Sequence, residues 1–102
     1  MLGTTATLEY RFPVANGNYN ITLKWAEIYY TNPNRRAFNV IVNGVLKETA
    51  FQVQPILTAV DRTYAVAAAG GAGIQVQLVP VMAPAGEIGH PMISAVVLAP
   101  AP

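Results

Sequence analysis

From Asn18 to Trp25 polar and apolar residues alternate, with Tyr19, Ile21, Leu23 and Trp25 on one side and Asn18, Asn20, Thr22 and Lys24 on the other. A period of two is that of a half-buried strand. The pattern runs on through Ala26-Glu27-Ile28 and stops at two adjacent tyrosines, Tyr29 and Tyr30. A turn, Thr31-Asn32-Pro33-Asn34, and an Arg35-Arg36 pair separate it from a second run, in which Phe38, Val40 and Val42 share a face. That run closes on Asn43-Gly44, the dipeptide that tight hairpins favour.

Before these runs, Leu8, Tyr10, Phe12 and Val14 fall on one face and Glu9 and Arg11 on the other. After them, strands are expected over residues 63–68, 74–81 and 92–98. Ile74, Val76 and Leu78 alternate with Gln75 and Gln77. The alanines at 65–69 suit a helix, but the β-branched and aromatic residues before them and Gly70-Gly71 after them favour a strand and a hairpin. Residues 92–98 are apolar on nearly both faces, which predicts a central strand or one facing a partner. The weaker pattern at 49–60, broken by Pro55, predicts an edge strand and a loop crossing between sheets. Six or seven short strands punctuated by Asn-Gly, Gly-Gly and Pro-Ala-Gly turns make an all-β, antiparallel sandwich the expected fold, as one domain over residues 1–102.

Composition sharpens this picture. Hydrophobic residues form 53% of the chain and charged residues 11%, against about 25% charged in ordinary globular proteins. The exposed surface is therefore built from amides, hydroxyls and small residues, or is partly covered by another chain. A net charge of +1 supplies no field for nucleic acid, and Arg35-Arg36 is the one basic cluster. No stretch approaches the roughly 18 apolar residues of a spanning helix. With no cysteine, disulfides and thiolate metal sites are excluded.

Five segments then come in a familiar order: Tyr-Arg-Phe-Pro-Val (10–14), Asn-Gly-Asn-Tyr-Asn-Ile-Thr-Leu (16–23), Trp-Ala-Glu-Ile-Tyr (25–29), Arg-Ala-Phe-Asn-Val (36–40) and Val-Asn-Gly (42–44). Together with Pro91-Met92-Ile93-Ser94-Ala95-Val96 they resemble malectin and the malectin-like carbohydrate-binding modules. The resemblance implies a jelly-roll sandwich that binds short glucose-containing sugars through loops at one end, without catalysis or cofactor. It implies that Tyr29 and Tyr30 belong to the sugar site. The family's acidic ligand precedes the proline of the last strand; the matching positions here are Gly89 and His90, with Glu87 nearby. Domains of this family also carry strands before the Tyr-Arg-Phe-Pro-Val segment, where this chain has only residues 1–7, so a sandwich short of N-terminal strands is expected. An extracellular or cell-surface setting, of bacterial type, follows from the resemblance alone.

The remaining chemistry is sparse. Glu27 shares a face with Trp25, and a carboxylate buried there needs a partner; Arg35 or Arg36 is expected to supply it as a structural salt bridge. Glu9, Glu48, Asp61 and Glu87 are too scattered to form a glycosidase pair. One histidine, His90, and one serine, Ser94, make neither a metal site nor a nucleophile elbow. Gly70-Gly71-Ala72-Gly73 lacks the lysine and helix of a phosphate loop and reads as a hairpin. Two functions fit: a lectin-like module for an oligosaccharide, or a structural subunit of the same fold that forms a ring or filament through open strand edges, as a homo-oligomer or within a multidomain chain.

Overall fold

The structure, a computed structural model, describes residues 7–26, 37–52, 59–82 and 91–101. Seven strands occur among them: β1 (Leu8–Phe12), β2 (Gly17–Ala26), β3 (Phe38–Val42), β4 (Val45–Phe51), β5 (Ala59–Ala68), β6 (Ile74–Pro80) and β7 (Ala95–Pro100). They form a four-stranded sheet in the order β1-β6-β3-β4 and a three-stranded sheet in the order β5-β2-β7, with every pairing antiparallel. This is the all-β sandwich that the alternation predicts.

β2 shows why. Its inward residues Ile21, Leu23 and Trp25 are buried, while Asn20 and Asn18 face solvent. β3 and β6 match them from the other sheet with Phe38, Val40, Val42, Ile74, Val76 and Leu78, none more than 1% exposed. Burying these nine side chains between two layers is the main source of stability, at about 1.5–3 kcal/mol for each large aliphatic.

One connection is a hairpin. Asn43 (φ 48°) and Gly44 (φ 78°) join β3 to β4, the left-handed pair that a two-residue primed turn requires. The other connections pass from one sheet to the other. The run 70–73 therefore corrects the hairpin expectation: β5 and β6 lie in different sheets, and Gly70, Gly71 and Gly73, all at positive φ, form an arch between them. Asn16 braces the arch by accepting the Gly71 N–H on Oδ1 at 3.0 Å. Asn43 ties the same end together. Its Oδ1 accepts the Gln75 N–H at 2.7 Å, and its Nδ2 donates to the Ala67 carbonyl at 3.0 Å.

Two further expectations change. The last strand begins at Ala95 and is an edge of the three-stranded sheet, not a central strand. Its outward residues read as apolar because they are Ala95, Val97 and Ala99; Val97 is 48% exposed. The edge strand expected at 49–60 starts earlier, at Val45, and carries register shifts against β3 and a residue at positive φ, Ala50. The Ala50 N–H is held by Asn39 Oδ1 at 2.8 Å.

Candidate functional site

The strand directions place all the long connections at one end of the sandwich. There β2 ends at Ala26 opposite Ala59, the first residue of β5, and β3 begins at Phe38 between Phe51 of β4 and Pro80 of β6. The described strand ends that flank residues 27–36, 53–58 and 83–90 lie at this end. The opposite end carries the short Asn43-Gly44 turn and the arches at 13–16 and 69–73.

The loop end rests on an aromatic floor. Trp25 packs against Phe51 with centroids 4.7 Å apart and against Phe38 at 6.0 Å; Phe38 and Phe51 meet edge to face at 5.7 Å. The Trp25 indole N–H donates to the Met92 carbonyl at 2.6 Å, which satisfies the one polar atom of a buried ring. Residues before β7 are clamped alongside: the Ser94 N–H donates to Lys24 O at 2.9 Å, and Ser94 Oγ accepts the Ala26 N–H at 3.3 Å. So Ser94 is a strand-end brace. The Val81 N–H closes the other sheet on Ala37 O at 3.1 Å. The three rings of the floor are buried.

The rim supplies one cation that the alternation conceals. Arg62 stands at an inward position of β5, opposite Leu23, with its guanidinium 5.3 Å from the Phe51 ring centre. Its Nη1 donates to the Asp61 carbonyl at 3.0 Å. An arginine at an inward strand position is the signal that would have found it: it must either cap the core or face a ligand.

Next to it, the Tyr64 hydroxyl donates to Glu48 Oε2 at 2.8 Å. Burial, and after it the Glu48 hydrogen bond and charge, push the Tyr64 phenol above its ordinary range. A raised folded-state value means stability that is complete below the unfolded tyrosine pKa of about 10 and is lost as pH rises beyond it. Unfolding followed between pH 8 and pH 11 should show this alkaline loss. Tyr64→Phe should cost about 1 kcal/mol at neutral pH and flatten the alkaline slope.

The other described acids are engaged elsewhere. The Gln75 side chain, and after it Arg11, hold the Glu9 carboxyl below its ordinary range, and Arg11 Nε meets Glu9 Oε2 at 3.1 Å. Asp61 pairs with Lys24 at 2.8 Å on the outer face of the three-stranded sheet, beside a Thr22–Thr63 hydroxyl bond of 2.9 Å. Among the described residues no group of three His, Cys, Asp or Glu side chains could hold a metal ion. No helix among them is long and apolar enough to cross a membrane. A shallow cleft of about 310 Å³ lies at the far end, lined by Arg11, Asn43 and Gly73 among others. Its polar side chains are already engaged: the Asn43 amide with backbone groups and Arg11 with Glu9.

Tyr29, Tyr30, Glu87 and His90, and the Glu27, Arg35 and Arg36 of the expected salt bridge, lie outside the described residues. In the sequence Tyr29 and Tyr30 follow Ala26 by three and four residues, and His90 immediately precedes the buried Pro91.

Comparison with known proteins agrees with this architecture. The solved extracellular domain of ANXUR1 from Arabidopsis thaliana superposes with a TM-score of 0.79 at 18% identity, over 91% of this chain and 26% of that one. The ANXUR2 extracellular domain from the same plant gives 0.77 at 18% identity, over 91% and 27%. The plant receptor-like kinase ANX2 gives 0.72 at 17% identity, over 90% and 26%. At these identities the likeness is one of fold, and this chain spans about a quarter of the solved ones. Their plant origin gives a bacterial setting no support. No curated protein sequence matches. The family model of the malectin domain, however, matches residues 2–96, nearly the whole sandwich from before β1 into β7, and the chain therefore belongs to the malectin domain family.

Proposed function

We propose that this chain is a non-catalytic carbohydrate-binding domain that takes glucose-containing oligosaccharides at the loop end of the sandwich. Membership of the malectin family over residues 2–96 carries this reading. It is supported by the course of β2, which contributes Trp25 to the aromatic floor and ends at Ala26, three residues before Tyr29 in the sequence. Sugar rings offer apolar C–H faces and a rim of hydroxyls. The tyrosine rings would stack on the first, and Glu87, His90 and the exposed Arg62 would hydrogen-bond the second. Glu27 with Arg35 or Arg36 would fix the turn that aims the tyrosines. The solved relatives are extracellular domains, which favours an extracellular or cell-surface place for this chain, within a longer protein.

Calorimetric titration with maltose, nigerose and longer glucans tests the proposal. Binding to at least one of them is expected, with Tyr29→Ala and Tyr30→Ala each weakening it roughly tenfold, about 1.4 kcal/mol. Flat titrations across all these sugars would overturn it.

A second reading is favoured by one observation. Among the described residues four strands face three, so one flank of the described sandwich is a strand short. In this reading the chain is an assembly subunit that joins its neighbours through that flank. The two readings use different surfaces and are independent.

A further inference from the structure

Asparagine is followed by glycine twice in this chain, at Asn16-Gly17 and Asn43-Gly44. That dipeptide carries its own chemistry. The glycine nitrogen has no Cβ beside it and can approach the preceding amide carbon closely. When base takes the glycine N–H proton, the nitrogen attacks Cγ, a C–N bond forms, and Nδ2 leaves with a proton as ammonia. Water then opens the cyclic imide. Addition at Cγ gives aspartate. Addition at the main-chain carbonyl gives isoaspartate, in which the backbone runs through Cβ and Cγ. The sum is amide plus water to acid plus ammonia, with no other reactant. The other described asparagines, Asn18, Asn20 and Asn39, are followed by Tyr19, Ile21 and Val40, whose side chains crowd the attacking nitrogen.

The reaction needs a side chain free to turn toward the nitrogen that follows it, and the fold treats the two sites differently. Asn43 is half-buried. Its Oδ1 accepts the Gln75 N–H at 2.7 Å, and its Nδ2 donates to Ala67 O at 3.0 Å with a longer contact to Gly73 O at 3.5 Å. Its own N–H donates to Gln75 O at 2.8 Å, so the main chain is fixed as well. To reach Gly44 N, this side chain must let go of β5, β6 and the glycine arch together. Asn16 and Gly17 are both exposed, so base and water reach them. Asn16 Oδ1 accepts one hydrogen bond, from the Gly71 N–H at 3.0 Å, and its Nδ2 has no partner among the described residues.

The product changes this end of the sandwich. On one side of Asn16, the Ala15 carbonyl accepts the Tyr19 hydroxyl at 2.7 Å; on the other, Gly17 is paired with Ala68 of β5. Isoaspartate inserts one methylene into the main chain between these two anchors. It also turns the former Oδ1 into a backbone carbonyl oxygen, so the Gly71 N–H loses its side-chain acceptor. The new carboxylate takes the net charge of the chain from +1 to 0.

We infer that Asn16 is a self-modifying site of the folded domain, converted to isoaspartate and aspartate by attack of the Gly17 nitrogen, and that its ties to neighbouring strands preserve Asn43 as the amide. This goes beyond the sugar and assembly readings and uses neither of their surfaces. Folded wild-type protein is held at pH 8 and sampled over days. Ion exchange resolves the species that have lost one net positive charge, and peptide mapping by mass spectrometry places the site. Asn16 should convert roughly tenfold faster than Asn43, the factor for the additional hydrogen bonding that must break at Asn43. In concentrated urea the two sites should convert alike, and Asn16→Gln should abolish the early charge loss in the folded protein. The purified isoaspartate form should melt about 4–8 °C below the wild type, the shift for losing one hydrogen bond in a domain of this size. Asn16→Asp, which keeps an acceptor oxygen for Gly71, should melt close to the wild type. Equal rates at the two sites in the folded protein, or an Asn16 that persists while the urea-unfolded chain converts, would overturn the inference.

Discussion

Trp25→Ala is expected to destabilise this domain more than any other single change among the described residues, by about 3–5 kcal/mol. Trp25 is 1% exposed and is the largest fully buried side chain among the described residues. Truncation removes its contacts with Phe38 and Phe51 and leaves both rings beside a void. It also removes the indole N–H whose hydrogen bond the Met92 carbonyl accepts at 2.6 Å, and so frees the residues that lead into β7. A domain of this size has only about 5–15 kcal/mol of net stability, so the variant should lose much of it. Trp25→Phe separates the two causes. It keeps most of the ring packing and loses the hydrogen bond, and should cost about 1–2 kcal/mol. Urea unfolding of both variants measures the difference. Equal losses would mean that the indole hydrogen bond, not the packing, holds this end together.

The second large effect is expected at the other end. Gly73 sits at φ +70°, and a Cβ built there would press into the Phe12 carbonyl oxygen, with the Phe12 carbonyl carbon and Pro13 Cα close behind. These are backbone atoms of the β1–β2 arch, which cannot rotate away as a side chain could. Gly73→Ala therefore combines a left-handed backbone with a fixed clash, at roughly 3 kcal/mol together. That corresponds to a fall in Tm of roughly 15 °C for a domain of this length. Gly70→Ala and Gly71→Ala, at φ +64° and +72° with nothing within 4 Å of the added methyl, should cost only the backbone component, about 1–2 kcal/mol. If all three variants melted alike, the close approach of the two arches would be refuted.

The contrast between these two ends also explains what could be read from the sequence. β2 and β3 were legible because their inward faces meet a complete opposite layer, so alternation and burial coincide. Asn43-Gly44 was legible because a two-residue loop has few solutions. Gly70-Gly71 was not, because glycines report a reversal of direction without saying whether the chain pairs with itself or crosses to the other sheet. β7 misled for a different reason: alanine on an outward face is small enough to sit on an edge, yet it breaks the polar half of the alternation. Arg62 was concealed by the same logic in reverse, a polar residue at an inward position that caps Phe51. The long-range role of Asn43, which binds Gln75 and Ala67 from other strands, leaves no local pattern. For the candidate binding residues, the sequence offers Tyr29, Tyr30, Glu87 and His90 by family resemblance, and all four lie outside the described residues.

Sugar binding at the loop end is tested most directly by a ¹H–¹⁵N NMR titration of the wild-type protein with maltose and nigerose. The Trp25 indole N–H, hydrogen-bonded to Met92 O beneath the loop end, is a built-in reporter, as are the amides of Ala26, Ala37 and Ala59 at the strand ends. Saturable shifts of these signals are expected, with the Asn43 and Gly71 amides at the opposite end unmoved. No shift at millimolar sugar, or shifts confined to Asn43 and Gly71, would contradict binding at the loop end.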